Sequence, residues 1–516
     1  MRKYIPHCMF IALLGLFVIT RLWRLDAIPS GIHIDEAGMA YDAWCLAHYG
    51  VDRYLKSWPI YLINFGGGQS ILYSYLCATL FTVFDCTIRV IRTPAAIFSF
   101  LTFFFGMKIC KDAYPEKKYL PLLCGLLLTV CPYFILSGRF GLDCNLMLGA
   151  STVFLYFFQK AIRTGQKRYY FIAGLTGGVI LYTYALSYII LPLFLLLSMI
   201  YVISTRQFHF GKWVVMGIPM GILALPLLLV QYVNMFDKPE FQIGIFTITR
   251  MLTYRAFEIG FFSFENFMLA LKSAFVGDSF NYNSVPGYLN LYGITIIFFL
   301  IGLIRSIQKL IASIKQRNIS FHAFPLLWFF CVIFFESHIA SNVNKINSIF
   351  YVLVFIAIEG IAFLCDRIKQ ISPTIIMATI GCAYFLCFLR FGIYYYTGPY
   401  TYENYPVSHF DVTVTEAIDF LEKHPEYRNK GTYMAENDIY FALSTLKSPY
   451  ELKLYDETQL AFDNYYICST LPEIDTDYNY IVRDTFTEYS DTLRSMGYTE
   501  IKYVCYSLFY MDHTTP

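Results

Sequence analysis

Charge is what this 516-residue sequence has least of: Asp, Glu, Lys and Arg make up 15% of it, where soluble globular chains carry about 25%. That scarcity, with 57% hydrophobic residues and a mean hydropathy of +0.50, excludes a disordered protein and an ordinary cytosolic enzyme. A net charge of +2 leaves no basic stripe for nucleic acid. There is no Cys-x-x-Cys pair and no even cysteine ladder among the fourteen cysteines, so neither a zinc ribbon nor a disulfide scaffold is expected. Six of them (Cys8, Cys77, Cys124, Cys131, Cys382, Cys387) fall inside apolar runs, where cysteine acts as a small hydrophobe. Only Cys468 and Cys505 lie where a bridge within the tail could form. No repeat of 20–50 residues and no matching pair of Gly/Pro-broken helices is present.

What charge there is divides unevenly. Residues 1–391 hold 31 Lys and Arg against 17 Asp and Glu, and residues 392–516 hold 8 against 20. The first part reads as a membrane domain and the second as a water-soluble tail. Apolar runs near 8–25, 93–110, 119–137, 144–159, 169–184, 185–203, 213–234, 288–305, 321–337, 347–364 and 371–391 each approach the roughly 20 residues that a bilayer core requires. The shorter run 68–84 reads as a re-entrant or in-plane segment. The opening run lacks a small-residue cleavage site and ends in Arg21 and Arg24, so it reads as a retained span. The expectation is a polytopic α-helical membrane protein of about 11 transmembrane helices with a small C-terminal extracytoplasmic α/β domain.

Basic residues in short loops set the orientation. With the N-terminus inside, the inner loops and N-terminus carry 18 Lys and Arg, opposed only by Asp112, Glu116 and Asp366. Making 68–84 a full crossing would place the most basic loops outside. Loops 26–92 and 235–287 and the acidic tail are therefore expected on the external face of a bacterial plasma membrane, with the N-terminus cytoplasmic. In the tail, 412–423 and 491–497 read as helices, and Tyr465–Ser469, Tyr478–Val482 and Ile501–Ser507 as strands. The tail has no catalytic or phosphate-binding motif, and is expected to tune acceptor or partner binding without carrying chemistry.

Chemistry-bearing residues gather on the external side. Asp35 and Glu36 follow His33-Ile34 and precede a helical pattern; by position alone they are helix-start acids complementing the dipole. Asp143 follows Ser137-Gly138-Arg139, and its plain alternative is an ion pair with Arg139. Arg89, Arg92, Arg250, Arg255 and Lys345 put positive charge on the translocated side, where a bound phosphate or headgroup snorkelling would account for it. Acids beside cations suit transfer of a group from a lipid phosphate to a hydroxyl, the carboxylate taking the acceptor proton and the cations holding the departing phosphate.

The run His33-Ile34-Asp35-Glu36-Ala37-Gly38-Met39-Ala40-Tyr41-Asp42-Ala43, then Gly50-Val51-Asp52, Pro59 and Gly67-Gly68-Gln69-Ser70, resembles the first external loop of integral-membrane GT-C glycosyltransferases. The branch is that of protein O-mannosyltransferases and lipid A aminoarabinose transferases. Arg92-Thr93-Pro94, the turn to Asp143, Leu181-Tyr182-Thr183-Tyr184 and the polar turn within 337–360 extend the likeness over about residues 8–390. The resemblance implies a polyprenyl-phosphate-linked sugar donor and an inverting transfer to a hydroxyl of a glycan, lipid or protein. It implies Asp35 as catalytic base, Glu36 as its neighbour, Asp143 as a second acid and Arg92 as a donor-phosphate ligand. This chain departs from it with Gly38 and Gln69 where aminoarabinose transferases have arginine and lysine. The phosphate clamp then falls to Arg89, Arg92, Arg255 or Lys345. A divalent metal is compatible with the resemblance, although His33, Asp35 and Asp143 do not form a metal spacing. The alternatives are a transporter or flippase for a lipid-linked glycan, for which Glu359 is the acid within a span, and a non-catalytic assembly factor.

Overall fold

The computed structural model describes residues 5–64, 67–254, 258–280, 282–401, 410–435, 438–454, 461–468 and 470–512. Six helices among them are long and apolar enough to cross a membrane: Ile88–Ala113, Ser187–Ser204, Phe210–Met235, Ile294–Gln316, Asn347–Arg367 and Pro373–Thr397. Pro6–Leu22, Leu72–Phe81, Leu120–Val130 and Ala323–Glu336 are shorter apolar helices. The chain is an integral, multi-pass membrane protein.

Several of the expected runs form helices that are shorter or more polar than those six, for local reasons. Pro132 divides the 119–137 run into helices Leu120–Val130 and Pro132–Ser137, because the residue before a proline is pushed out of the helical region; Cys131 is extended, at φ −69° and ψ 141°. Helix Asp143–Thr164 is 22 residues long but carries Gln159, Lys160 and Arg163 along its second half. Helix Leu72–Phe81, in the run 68–84 outside the expected eleven, has 10 residues, about 15 Å of axial rise, half of a roughly 30 Å hydrocarbon core. The last long helix runs on to Thr397, past the boundary expected at 391.

The basic loops meet at one end of the bundle, where Lys117 pairs with Asp366, Arg163 with Asp112 at 2.5 Å, and Gln159 donates to the Phe321 carbonyl at 3.0 Å. At the other end the two long loops interlock. Lys56 pairs with Glu240 at 2.5 Å, and the Ile60 N–H donates to the Thr247 carbonyl at 3.0 Å.

The tail is an α/β unit around a six-stranded sheet, in the order Thr499–Lys502, Tyr506–Tyr510, Asn479–Arg483, Thr432–Ala435, Tyr465–Cys468, Ala461–Phe462. The middle strand pairs are parallel, Asn479–Arg483 on Thr432–Ala435 and Thr432–Ala435 on Tyr465–Cys468. The expected strand 501–507 is two strands folded back on each other, turning at Cys505 with φ +70°. Cys468 and Cys505 are free thiols.

The tail packs against the first loop. Phe410–Asp411 pairs antiparallel with Ile32–His33, and the Tyr440 hydroxyl donates to the Ile32 carbonyl at 3.1 Å. Ala37, Met39, Ala40 and Tyr41 of the first loop share one apolar core with Ile439, Phe441, Leu452 and Leu508 of the tail.

Candidate active site

Asp35 and Glu36 do open a helix, Ile34–Tyr49, and the two then part company. His33 is its N-cap: the Asp35 N–H donates to His33 Nδ1 at 3.1 Å, and the His33 N–H donates to Glu36 Oε2 at 3.2 Å. This reciprocal cap satisfies two of the donors that every helix start leaves open. It turns Glu36 inward, where the carboxylate is fully buried and also accepts from the Gly141 N–H at 2.7 Å and from Arg92 Nε at 3.0 Å.

Arg92 is committed to that contact and to the backbone. Nη1 donates to the Leu25 and Pro29 carbonyls at 2.9 Å, and Nη2 to the Gly31 carbonyl at 2.6 Å and to Glu36 Oε2 at 3.3 Å. All five guanidinium hydrogens thus have acceptors within the protein. The expected donor-phosphate ligand is instead the buried strut that ties the start of the first loop to the helix Ile88–Ala113. Phe410 of the tail lies against it, with the Arg92 guanidinium carbon 6.0 Å from the ring centre.

Asp35 faces the other way and is partly exposed. Its Oδ1 accepts from Asn64 Nδ2 at 2.8 Å, and the Asn64 oxygen accepts from Arg53 Nη2 at 3.2 Å. Arg53 in turn grips Asp42, donating from Nη2 to Oδ2 at 2.8 Å and from Nε to Oδ1 at 3.1 Å. Arginine has no acceptor, so the Asn64 oxygen must face it and the NH2 group must face Asp35. Gly38 makes room for this chain: a Cβ there would sit 2.8 Å from Arg53 Nη2. The glycine found where the resemblance expects an arginine is therefore filled by a guanidinium from a later position. Burial raises the Asp42 carboxyl, and burial with the nearby Asp42 charge pushes Asp52 up to about 7.

Asp143 begins the helix Asp143–Thr164, accepts from the Ser70 N–H at 3.1 Å through Oδ2, and caps Cys144 through Oδ1 at 2.8 Å. Arg139 is not its partner; that guanidinium donates to the carbonyls of Thr20, Arg21, Trp23, Arg24 and Ile28. Asp35 and Asp143 both act electrostatically on Cys144, which places the two acids around one point.

The loop 235–287 closes over them. The Tyr282 ring lies 4.6 Å from the His33 ring, and burial together with the Asp278 and Asp35 carboxylates pushes its hydroxyl above the ordinary range. Asp278 also accepts from the Val343 N–H at 2.9 Å. It lines a groove of about 810 Å³ with Lys272, Ser284, Ser341 and Asn342.

The remaining expected cations are dispersed. Arg89 pairs with Asp26 at 3.1 Å on the surface, and Arg255 lies outside the described residues. Lys345 sits on the 341–347 turn, its Nζ donating to the Ala340 carbonyl at 2.7 Å and its backbone N–H to Asn342 Oδ1 at 3.0 Å. Among the described residues no three His, Cys, Asp or Glu side chains converge as a metal site requires. Glu359 is tied to Lys309 at 2.6 Å and to Tyr114 near the end of the bundle that holds the basic loops.

No protein-family model matches the sequence, and no curated protein matches it. Solved structures do. ArnT from Cupriavidus metallidurans, in the apo state, aligns over 97% of both chains with a TM-score of 0.51 at 11% identity. The archaeal oligosaccharyltransferase AglB from Archaeoglobus fulgidus, in complex with an inhibitory peptide and a dolichol-phosphate, aligns over all of this chain and 75% of its own, with a TM-score of 0.50 at 10% identity. The Archaeoglobus fulgidus oligosaccharyltransferase in complex with Zn and sulfate aligns over 94% of this chain and 69% of its own, with a TM-score of 0.50 at 12% identity. The chain shares the overall fold of these solved structures. With identity this low, fold is what the likeness carries, and the chemistry has to be argued from the residues.

Proposed function

We propose that this protein transfers a sugar from a polyprenyl-phosphate donor to an acceptor hydroxyl, with Asp35 as the general base. The observation that carries the reading is Asp35 itself. It is a partly exposed carboxylate oriented through Oδ1 by Asn64, while Oδ2 lies 3.8 Å from His33 Nδ1 and accepts no hydrogen bond among the described residues. That a GT-C neighbour was solved with a dolichol-phosphate bound supports the class of donor.

In the proposed step the acceptor oxygen attacks the anomeric carbon from the face opposite the phosphate. Asp35 Oδ2 takes the hydroxyl proton as the new C–O bond forms. The old bond from carbon to phosphate oxygen breaks, and its electron pair leaves with the polyprenyl phosphate, so the anomeric configuration inverts. Asp143, held by Ser70, assists the acceptor. Lys345 offers the phosphate a cation with hydrogens to spare, and Arg255 is the second candidate. Mixing purified protein in detergent with polyprenyl-phosphate sugars tests the reading: release of free polyprenyl phosphate is expected, and none with any donor would end it.

The proposal also sets the site on the external face. A thiol reagent that cannot cross the membrane should label a cysteine placed at 470 and miss one at 117. The reverse pattern would turn the protein over.

A further inference from the structure

The helix Ala323–Glu336 ends in an acid that none of the contacts above uses. Glu336 is fully buried, and neither carboxyl oxygen has a hydrogen-bond partner among the described residues. The Ser341 hydroxyl lies beside it, out of hydrogen-bond geometry, and Lys345 acts on it electrostatically. Buried polar groups are nearly always partnered, so an orphaned carboxyl points to a bound group that completes it.

Its surroundings locate it at the candidate active site. The turn that follows Glu336 is bonded to the helix that Asp143 begins, through Asn347 Nδ2 to the Cys144 carbonyl at 2.7 Å. The loop 235–287 reaches the same place, with the Ser263 N–H donating to the Ser337 carbonyl at 2.8 Å. Tyr184 feels both the Asp143 and the Glu336 carboxyls. Other buried polar groups on elements that meet Asp143 also lack partners among the described residues: Asn347 Oδ1 and Gln69 Oε1, which only accept, and the Tyr188 and Ser70 hydroxyls, which donate and accept.

A polyprenyl chain has no hydrogens to give such a set, and a phosphate could take hydrogens from the Tyr188 and Ser70 hydroxyls but has none to give the Glu336, Asn347 and Gln69 oxygens. A ring bearing several hydroxyls matches it, because each hydroxyl donates one hydrogen bond and accepts others. We infer that Glu336, with Asn347 and Tyr188, forms the subsite that holds the hydroxyls of the transferred sugar. This rests on the glycosyl-transfer reading above and adds to it where the sugar sits.

The test compares two ligands on wild-type protein, Glu336→Gln and Glu336→Leu in detergent. One ligand is bare undecaprenyl phosphate. The other is undecaprenyl phosphate carrying mannose, glucose or N-acetylglucosamine. Wild type should bind at least one sugar-bearing lipid more tightly than the bare lipid. Glu336→Gln, which keeps shape and removes an acceptor oxygen, should lose that sugar-dependent gain by at least about tenfold, with bare-lipid affinity unchanged within about twofold. Glu336→Leu should lose it entirely, and thermal unfolding confirms that both variants are folded. Equal weakening of both ligands, or no change in either because an ordered water alone fills the site, overturns the inference, as does a wild type with no sugar-dependent gain for any of the three. A wild type that binds no lipid phosphate at all refutes the functional reading itself, a distinct outcome seen before any variant is made.

Discussion

Asn64 donates to Asp35 at 2.8 Å while its own oxygen is held by Arg53, so the acid proposed as base is oriented by a residue outside the Asp-Glu motif. Removing this hold should slow the chemical step more than it weakens binding. Asn64→Ala should lower kcat roughly 10–100-fold, because misplacing a catalytic group by about 1 Å can cost that much. Donor KM should move by less than about threefold. Asn64→Asp keeps the Arg53 contact but sets two carboxylates face to face, and should be the worse of the two. A steady-state comparison of the variants checks this; a pure KM effect would make Asn64 a binding residue instead.

Arg92 and Glu36 form a buried ion pair at 3.0 Å. Removing one partner strands the other charge, at a cost of about 3–5 kcal/mol. Arg92→Ala should therefore show as lost thermal stability in detergent. Arg92→Lys should not rescue it, since lysine lacks the fork that reaches Glu36 and the backbone carbonyls together. A folded Arg92→Ala protein with normal stability and weakened donor binding would restore the phosphate-ligand role that the sequence suggested.

The tail bears on the site through Phe410, whose ring lies 5.6 Å from His33 and 5.7 Å from Phe140. Phe410→Ala should remove about 3–5 kcal/mol of packing, and stability and turnover should fall together. Phe410→Leu should keep most of both. Ending the chain before residue 398 uncovers the Ala37–Tyr41 face and should give a protein that does not fold. A stable truncated protein with slow turnover would mean that the tail is separable after all.

The features legible in the sequence were those encoded locally. Asp35 and Glu36 read as a helix start because an acid in the first turn needs nothing beyond its own helix, and a reciprocal cap is there. The tail strands Tyr465–Cys468 and Asn479–Arg483 followed from β-branched and aromatic residues. What escaped was set by long-range contacts. Nothing near Arg92 in sequence announces Glu36, and nothing near Gly38 says that Arg53 will fill its space. Asn64 could be read as the end of a strand before a glycine turn, a signal for a hairpin and not for chemistry. Hydropathy hid the break at Cys131-Pro132, because both halves of that run are apolar; the proline was the better guide.

The central claim is that Asp35 takes the acceptor proton, and Asp35→Asn tests it most directly. The substitution keeps size and hydrogen-bonding shape and removes the base. General-base help is typically worth 10²–10⁴-fold, or roughly 3–5 kcal/mol of barrier. With a polyprenyl-phosphate sugar and acceptor, release of polyprenyl phosphate by folded Asp35→Asn protein should fall at least about a hundredfold, while donor affinity changes by less than about tenfold, or ~1.4 kcal/mol. Near-normal release by the folded variant would contradict the account, leaving Asp35 as a helix-start residue and the base to be sought at Asp143.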